Sequence, residues 1–441
     1  MPPPEAPGGG LRDTYYLFLG MGLATLLPWN LFISASEFFK YQFAGSSQQH
    51  VFQNWFSVVY MVTNFASNSY AMLTVARADP NARIVRSLAA NTAAFAVGVA
   101  LPFMGGLRGT ASFCIALLQL ATTAVASGLL ANSLFALVAH FPAAHAEGLL
   151  SGQAVAGVIA AAAQLFTAYS VPAPGSAPAA AGPDQPPDAT LLARTVAYFV
   201  FATAVNLALT AAFWRVSSGP YYQRLSRQAR PPHADTERLI SPPQDAAAAA
   251  AAAAQGLDAA ATAPPALDLG PLTDTFRQVS AHAYLIVLAF AVTLSVFPSV
   301  TALVTSTAGF GLLTEWHFLA FNAGDLAGRR LAPSVRIERV SSLAALGLLR
   351  ILLIPAFFAC HLSFSAWRNA IQSDWAFLAL VAILGASNGY LSTRSAMAAP
   401  GKSTNPTVAG TIVSISISTG LALGSLLSWP VRSAGCLCLP A

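Results

Sequence analysis

Asp325 is the one carboxylate in this chain that falls in the middle of a long apolar segment, and Arg329 follows it one helical turn later. The run reads His317-Phe-Leu-Ala-Phe-Asn322-Ala-Gly324-Asp325-Leu-Ala-Gly328-Arg329-Arg330-Leu. Spacings of three and four place Asn322, Asp325 and Arg329 on one face of a helix. A charge at mid-membrane depth costs roughly 2.5–3.5 kcal/mol on insertion scales, so such residues turn toward a bundle interior or an aqueous cavity. There the carboxylate accepts hydrogen bonds from hydroxyls, and the guanidinium donates a rigid fork of them. The pattern predicts a polar site inside a helical membrane protein; an ion pair that only pins helices together is the alternative.

The rest of the chain has to supply the helices that hold this face. Apolar residues make up 55% of the 441 and charged ones only 9%, against about a quarter charged in soluble proteins. A single soluble domain cannot hide that much hydrocarbon, whereas a bilayer can. The net charge of +5 is spread over short loops, which excludes a nucleic-acid partner and leaves the lipid bilayer as the main one. The N-terminal ten residues lack a basic stretch followed by a short apolar core, so the first apolar segment is expected to act as a signal anchor. Cys114, Cys360, Cys436 and Cys438 form no disulfide framework. No histidine pair has metal-ligand spacing, no glycine-rich phosphate loop occurs and no enzyme-like catalytic grouping is present, so neither cofactor nor enzymatic activity is expected.

A membrane core about 30 Å thick takes about 20 apolar residues per helix. That ruler gives eleven spans, near residues 14–36, 53–76, 84–105, 110–139, 148–171, 191–214, 279–304, 313–333, 340–362, 374–396 and 407–429. Basic residues set the orientation. Counting from a cytoplasmic N-terminus, fifteen fall inside and five outside, the latter being Lys40, Arg108, Arg194, Arg368 and Arg432. The C-terminus is then outside or lumenal. Residues 1–13 form a short cytoplasmic start and 433–441 a tail. Residues 216–275, with Pro231-Pro232, Pro242-Pro243 and an unbroken alanine run from Ala246 to Ala254, read as a low-complexity cytoplasmic linker. It separates a six-helix bundle (14–215) from a five-helix bundle (276–432), the 6+5 arrangement of an all-α, major-facilitator-like transporter that rocks around a central site.

Several short patterns accompany the Asp325 run. The first span carries Gly22-Leu-Ala-Thr-Leu26-Leu-Pro28-Trp29-Asn30, and the fifth opens with Ser151-Gly152-Gln153. Phe297-Pro298 stands in the seventh, Arg350-Ile-Leu-Leu-Ile-Pro355 in the ninth, Ser387-Asn388-Gly389-Tyr390 in the tenth and Gly420-Leu-Ala-Leu-Gly424 in the eleventh. In that order they closely resemble the equilibrative nucleoside transporter family, from about Tyr15 to about Arg432 without the linker. The resemblance implies facilitated diffusion of nucleosides, with nucleobases as an extension, and no ATP drive. A nucleoside wants a flat apolar wall for its base and charged or amide groups for its sugar. In the family the matched Asp325 and Arg329 contact ribose, and the matched Trp29 lies near the base with Leu26 one turn below. An arginine at the start of the third span corresponds to Arg83, with Arg86 as the alternative.

One position departs from the family. Many members carry a glutamine in the fourth span before a Gly-Ser-Leu-Phe run, and it contacts the base; here Ala131 occupies that place, followed by Asn132-Ser133-Leu134-Phe135. Asn132 is next in line but points about 100° away on a straight helix. Asn30, Asn132, Gln153 and Asn322 complete the expected substrate-binding set, and Asn64 and Asn68 share a face of the second span. Bland readings stand beside these: Trp29 as an interfacial belt residue, Gln153 as a bridge between helices, Arg83 and Arg86 as topology charges. Two rival mechanisms are weighed as well. Proton-coupled symport would use Asp325 as the relay, but Arg329 holds that carboxylate ionised; organic-cation transport would want an unpaired acid. Within the linker, Asp235-Thr-Glu-Arg-Leu239-Ile240 fits an acidic dileucine signal for sorting adaptors, which would favour a vacuolar, lysosomal or endosomal membrane over the plasma membrane.

Overall fold

The computed structural model describes residues 9–49, 51–104, 108–170, 189–229, 270–362 and 370–436. Within these the regular elements are helices, joined by turns and loops that hold isolated bridges such as Val304 with Leu362. The long helices of the first part are α1 (Gly9–Ser34), α3 (Phe52–Leu73), α4 (Pro80–Ala100), α5 (Thr110–Val138), α6 (Ala143–Ser170) and α7 (Ala189–Ser217). Two short ones, α2 (Ser36–Gln42) and α8 (Pro220–Ser226), follow α1 and α7. The second part holds α9 (Gly270–Val296), α10 (Leu313–Leu331), α11 (Val340–Leu349), α12 (Leu353–Phe358), α13 (Asp374–Ala398) and α14 (Pro406–Cys436). Nine helical stretches among the described residues are long and apolar enough to cross a membrane. Helices α3 and α10 are not among them, and α10 misses because it carries Glu315, Asp325, Arg329 and Arg330.

Local chemistry sets the helix ends. Asp79 caps α4 by accepting from the Asn81 N–H, with Pro80 at the first helical position. Ser373 caps α13 through the Ala376 N–H, and Asn405 starts α14 by accepting from Val408 N–H ahead of Pro406. The ninth predicted segment is not one continuous helix. Pro355 has no N–H to offer the carbonyl of Ile351, and the chain tightens into a 3₁₀ turn at Arg350–Leu352 between α11 and α12.

Two elements lie where the sequence pattern suggested none. Helix α2 brings Phe38, Phe39 and Phe43 into an aromatic cluster with Phe32, Phe52, Phe56 and Phe113. Order also extends past residue 216: Tyr222 of α8 is buried against Phe141 and Phe213, and its hydroxyl donates to Asn81 Oδ1 at 2.6 Å. Residues 230–269, including Asp235, Leu239 and Ile240, lie outside the described residues.

Two helix pairs that bear on the site approach to backbone contact. A Cβ added at Gly328 would fall 2.0 Å from the Ala386 carbonyl oxygen, and one at Gly389 would fall 2.0 Å from that of Asp325. Gly324 and Gly385 repeat the arrangement one turn away, so α10 and α13 interlock through four glycines. Helices α1 and α6 cross in the same way at Gly22 and Gly152. Between the two parts of the chain, α6 packs on α10 and α13, while α3 and α5 pack on α14.

Candidate functional site

Asp325 and Arg329 both point inward and are only 5% and 4% exposed. Arg329 Nε donates to Asp325 Oδ2 at 2.7 Å, and Arg329 Nη1 donates across the seam to the Leu150 carbonyl of α6 at 2.8 Å. Asn388 Nδ2 donates to the other carboxylate oxygen, Oδ1, at 2.7 Å. That last bond depends on the glycine interlock, because only a close α10–α13 approach lets so short an amide reach the acid. An ion pair taken out of water survives when further hydrogen bonds satisfy its remaining atoms, and removing one partner costs about 3–5 kcal/mol.

The network continues through two more elements. Thr293 Oγ1 of α9 donates to Asn388 Oδ1 at 3.0 Å and accepts from Arg350 Nη2 at 2.6 Å. Arg350, 2% exposed, also donates to the carbonyls of Ala289 and Leu384, each at 3.1 Å, and to Ser387 Oγ. A continuous polar chain therefore runs from the Leu150 carbonyl through Arg329, Asp325, Asn388 and Thr293 to Arg350. It joins α6, α10, α13, α9 and the turn after α11.

A second cluster sits one residue further along α10. Glu147 of α6 accepts from the Tyr15 hydroxyl at 2.9 Å and from Ser151 Oγ, and its carboxylate lies 3.6 Å from Arg330 Nη1. Arg330 also donates to the Tyr15 hydroxyl. Consecutive arginines of α10 thus bind the opening turns of α6, one through a backbone carbonyl and one through a buried carboxylate.

The other expected residues are held elsewhere. Trp29 is half-buried and its ring lies 4.9 Å from that of Tyr60, against the Phe32 cluster; Leu26 and Asn30 are half-buried on the same helix. Gln153 donates to Thr25 Oγ1 at 3.3 Å, bridging α6 and α1. Asn132 is fully buried and donates to Asn68 Oδ1 at 2.9 Å, while Asn68 donates to Ser418 Oγ of α14 at 2.7 Å. Asn322 donates to its own helix at the Phe318 carbonyl and packs on Gly157 of α6, where an added Cβ would fall 2.1 Å from Asn322 Oδ1. Arg83 donates to the Ala71 carbonyl and Thr74 Oγ1, closing the end of α3.

Comparison with known proteins identifies the family. The family model described as nucleoside transporter matches residues 117–433, which contain Asp325, Arg329, Asn388 and Arg350. The chain belongs to the nucleoside transporter family. Human equilibrative nucleoside transporter 2 is 29% identical over 456 residues, covering 96% of this chain and 98% of that protein. Equilibrative nucleoside transporter 3 of Rattus norvegicus is 26% identical, covering 90% of this chain and 83% of its own length. The fold is similar to that of the human organic anion transporter MFSD10, whose crystal structure aligns with a TM-score of 0.58 at 18% identity over 98% of this chain and 96% of the other.

In this nucleoside transporter, several members of the polar chain escaped the sequence pattern as site residues. Arg350 stands inside an apolar segment as Arg329 does, so the rule that singled out Asp325 reaches it too. Asn388 and Thr293 carry no such mark, because uncharged polar residues are common in membrane helices. Tyr15 and Glu147 fall at helix ends, where polar groups ordinarily meet water.

Proposed function

We propose that this chain carries nucleosides across a membrane by facilitated diffusion and alternating access, with Asp325 and Arg329 at the centre of the site. The observation that carries the reading is the buried pair whose arginine reaches from α10 to the Leu150 carbonyl of α6. Ribose hydroxyls offer the same chemistry as the groups now bound: they donate to a carboxylate and accept from a guanidinium. A sugar entering the seam exchanges its own hydrogen bonds for those to Asn388 and Leu150. Trp29 and Leu26 supply the apolar wall for the base, with Asn30, Asn132, Gln153 and Asn322 lining the passage and Arg83 bracing one end. A carboxylate already paired with a guanidinium suits a neutral solute better than a proton relay.

Eleven spans in a 6+5 arrangement, with a cytoplasmic N-terminus and an outer C-terminus, are the topology we propose. The bundles are 14–215 and 276–432, joined by the linker 216–275. On that topology the Arg329 and Arg330 contacts close the cytoplasmic end of the α6–α10 seam, and inward opening requires both to break. Asp235, Leu239 and Ile240 then face the cytoplasm, where sorting adaptors read acidic dileucine signals. Replacing Leu239 and Ile240 by alanine is expected to move a fluorescent fusion to the cell surface; an unchanged intracellular pattern would refute that reading. The transport reading is tested by uptake of radiolabelled adenosine and uridine in transporter-null cells at two external pH values. Saturable, pH-insensitive flux that Asp325→Ala and Arg329→Ala abolish, with protein still at the membrane, supports it. Absence of flux from folded wild type overturns it.

A further inference from the structure

We propose that the groove between α3, α4 and α5 binds the headgroup of an acidic phospholipid. It encloses about 860 Å³ where α3 ends at Leu73 and α4 begins at Pro80, so it lies at the level of the membrane–water boundary. Arg77, Arg83 and Arg86 line it against a single carboxylate, that of Asp79. That carboxylate is engaged in capping α4, with Oδ1 accepting the Asn81 N–H at 2.9 Å. Arg83 is held in place by the Ala71 carbonyl and Thr74 Oγ1, which presents its guanidinium to the groove at a fixed position.

The opposite wall is apolar. Val125 and Leu129 of α5 form it, Val125 is 41% exposed, and Tyr70 at the rim is 62% exposed. A phospholipid satisfies both surfaces at once, its phosphate meeting the arginines and its acyl chains covering Val125 and Tyr70. A free phosphate would leave the apolar wall against water. The inference rests on the membrane topology proposed above, which puts the groove on the cytoplasmic side where acidic lipids give the leaflet its negative potential, and where basic pockets between helices bind lipid headgroups.

Full-length protein purified in detergent, titrated with fluorescent phosphatidylserine, tests this. Each arginine near such a headgroup is worth about fivefold in affinity. Arg77→Gln combined with Arg86→Gln is therefore expected to weaken binding about 25-fold without moving the thermal unfolding midpoint. Arg277→Gln, at an exposed arginine outside the groove, is expected to change nothing. Competition on wild type decides the matter even where the double variant fails to fold. Unlabelled phosphatidylserine should displace the probe, whereas phosphatidylcholine and inorganic phosphate at the same concentration should not. Equal displacement by phosphatidylcholine, or unchanged affinity in a folded double variant, overturns the proposal; displacement by inorganic phosphate makes this a soluble-anion site instead. Because binding is read in detergent, a wild type that binds lipid but moves no nucleoside would refute the transport reading alone.

Discussion

Gly389→Ala probes the geometry that sets up the Asp325 site without touching any of its polar side chains. A methyl at this position would fall 2.0 Å from the Asp325 carbonyl oxygen, and ordinary van der Waals contact begins at 3.4 Å. The obstruction is backbone, so it cannot swing aside, and α10 and α13 must separate by about 1.4 Å. The Asn388–Asp325 bond, now 2.7 Å, would stretch to about 4 Å and be lost. A hydrogen bond to a charged group contributes about 1.5–3 kcal/mol and overpacking costs about 1–3 kcal/mol. If half of that total falls on the transport-competent state, adenosine uptake drops about eightfold or more, since each 1.4 kcal/mol is a factor of ten. The assay is initial-rate adenosine uptake normalised to membrane-resident protein. Gly401→Ala serves as the control, because nothing lies within 4 Å of its added methyl. Wild-type uptake by Gly389→Ala would refute the claim that backbone contact between α10 and α13 positions the acid.

Two further substitutions address the polar chain and the closed end of the seam. Arg350→Met keeps the length but strips donors from Thr293, Ser387 and the carbonyls of Ala289 and Leu384; we expect a loss of about 3 kcal/mol or more in detergent stability, read as a lowered unfolding midpoint. Arg350→Lys, lacking the planar fork, should recover only part of it. Glu147→Gln keeps one acceptor oxygen of the two that serve Tyr15 and Ser151 and removes the charge that faces Arg330, so labelling of a cysteine placed at Leu150 should speed up several-fold. Unaltered labelling would mean that the Arg330 contact does not hold the seam.

Legibility in the sequence followed the cost of each feature in a membrane. Helical segments show as long apolar runs, and Asp325 and Arg329 show because charge at that depth needs a reason. The glycine pairs Gly324–Gly328 and Gly385–Gly389 are visible as small residues four apart, but one sequence does not say which helix each faces. That missing partner is why Asn388 stayed hidden as the acid's second ligand. Asn132 was legible as polar, yet its bond to Asn68, and through it the tie to Ser418, belongs to a three-helix crossing that periodicity cannot supply. The stretch after residue 216 resembles the linker in composition. Tyr222 nevertheless folds back on Phe141 and Asn81, an aromatic contact that only the assembled bundle provides.

The central claim is that neutral nucleosides exchange through the Asp325–Arg329 site without an energy source. Counterflow in proteoliposomes tests it most directly: vesicles loaded with unlabelled adenosine are diluted into trace labelled adenosine, with and without a pH gradient. Transient accumulation of label is expected, equal under both conditions and absent in Asp325→Ala. Accumulation that appears only with the proton gradient, or that persists undiminished in Asp325→Ala, would contradict it.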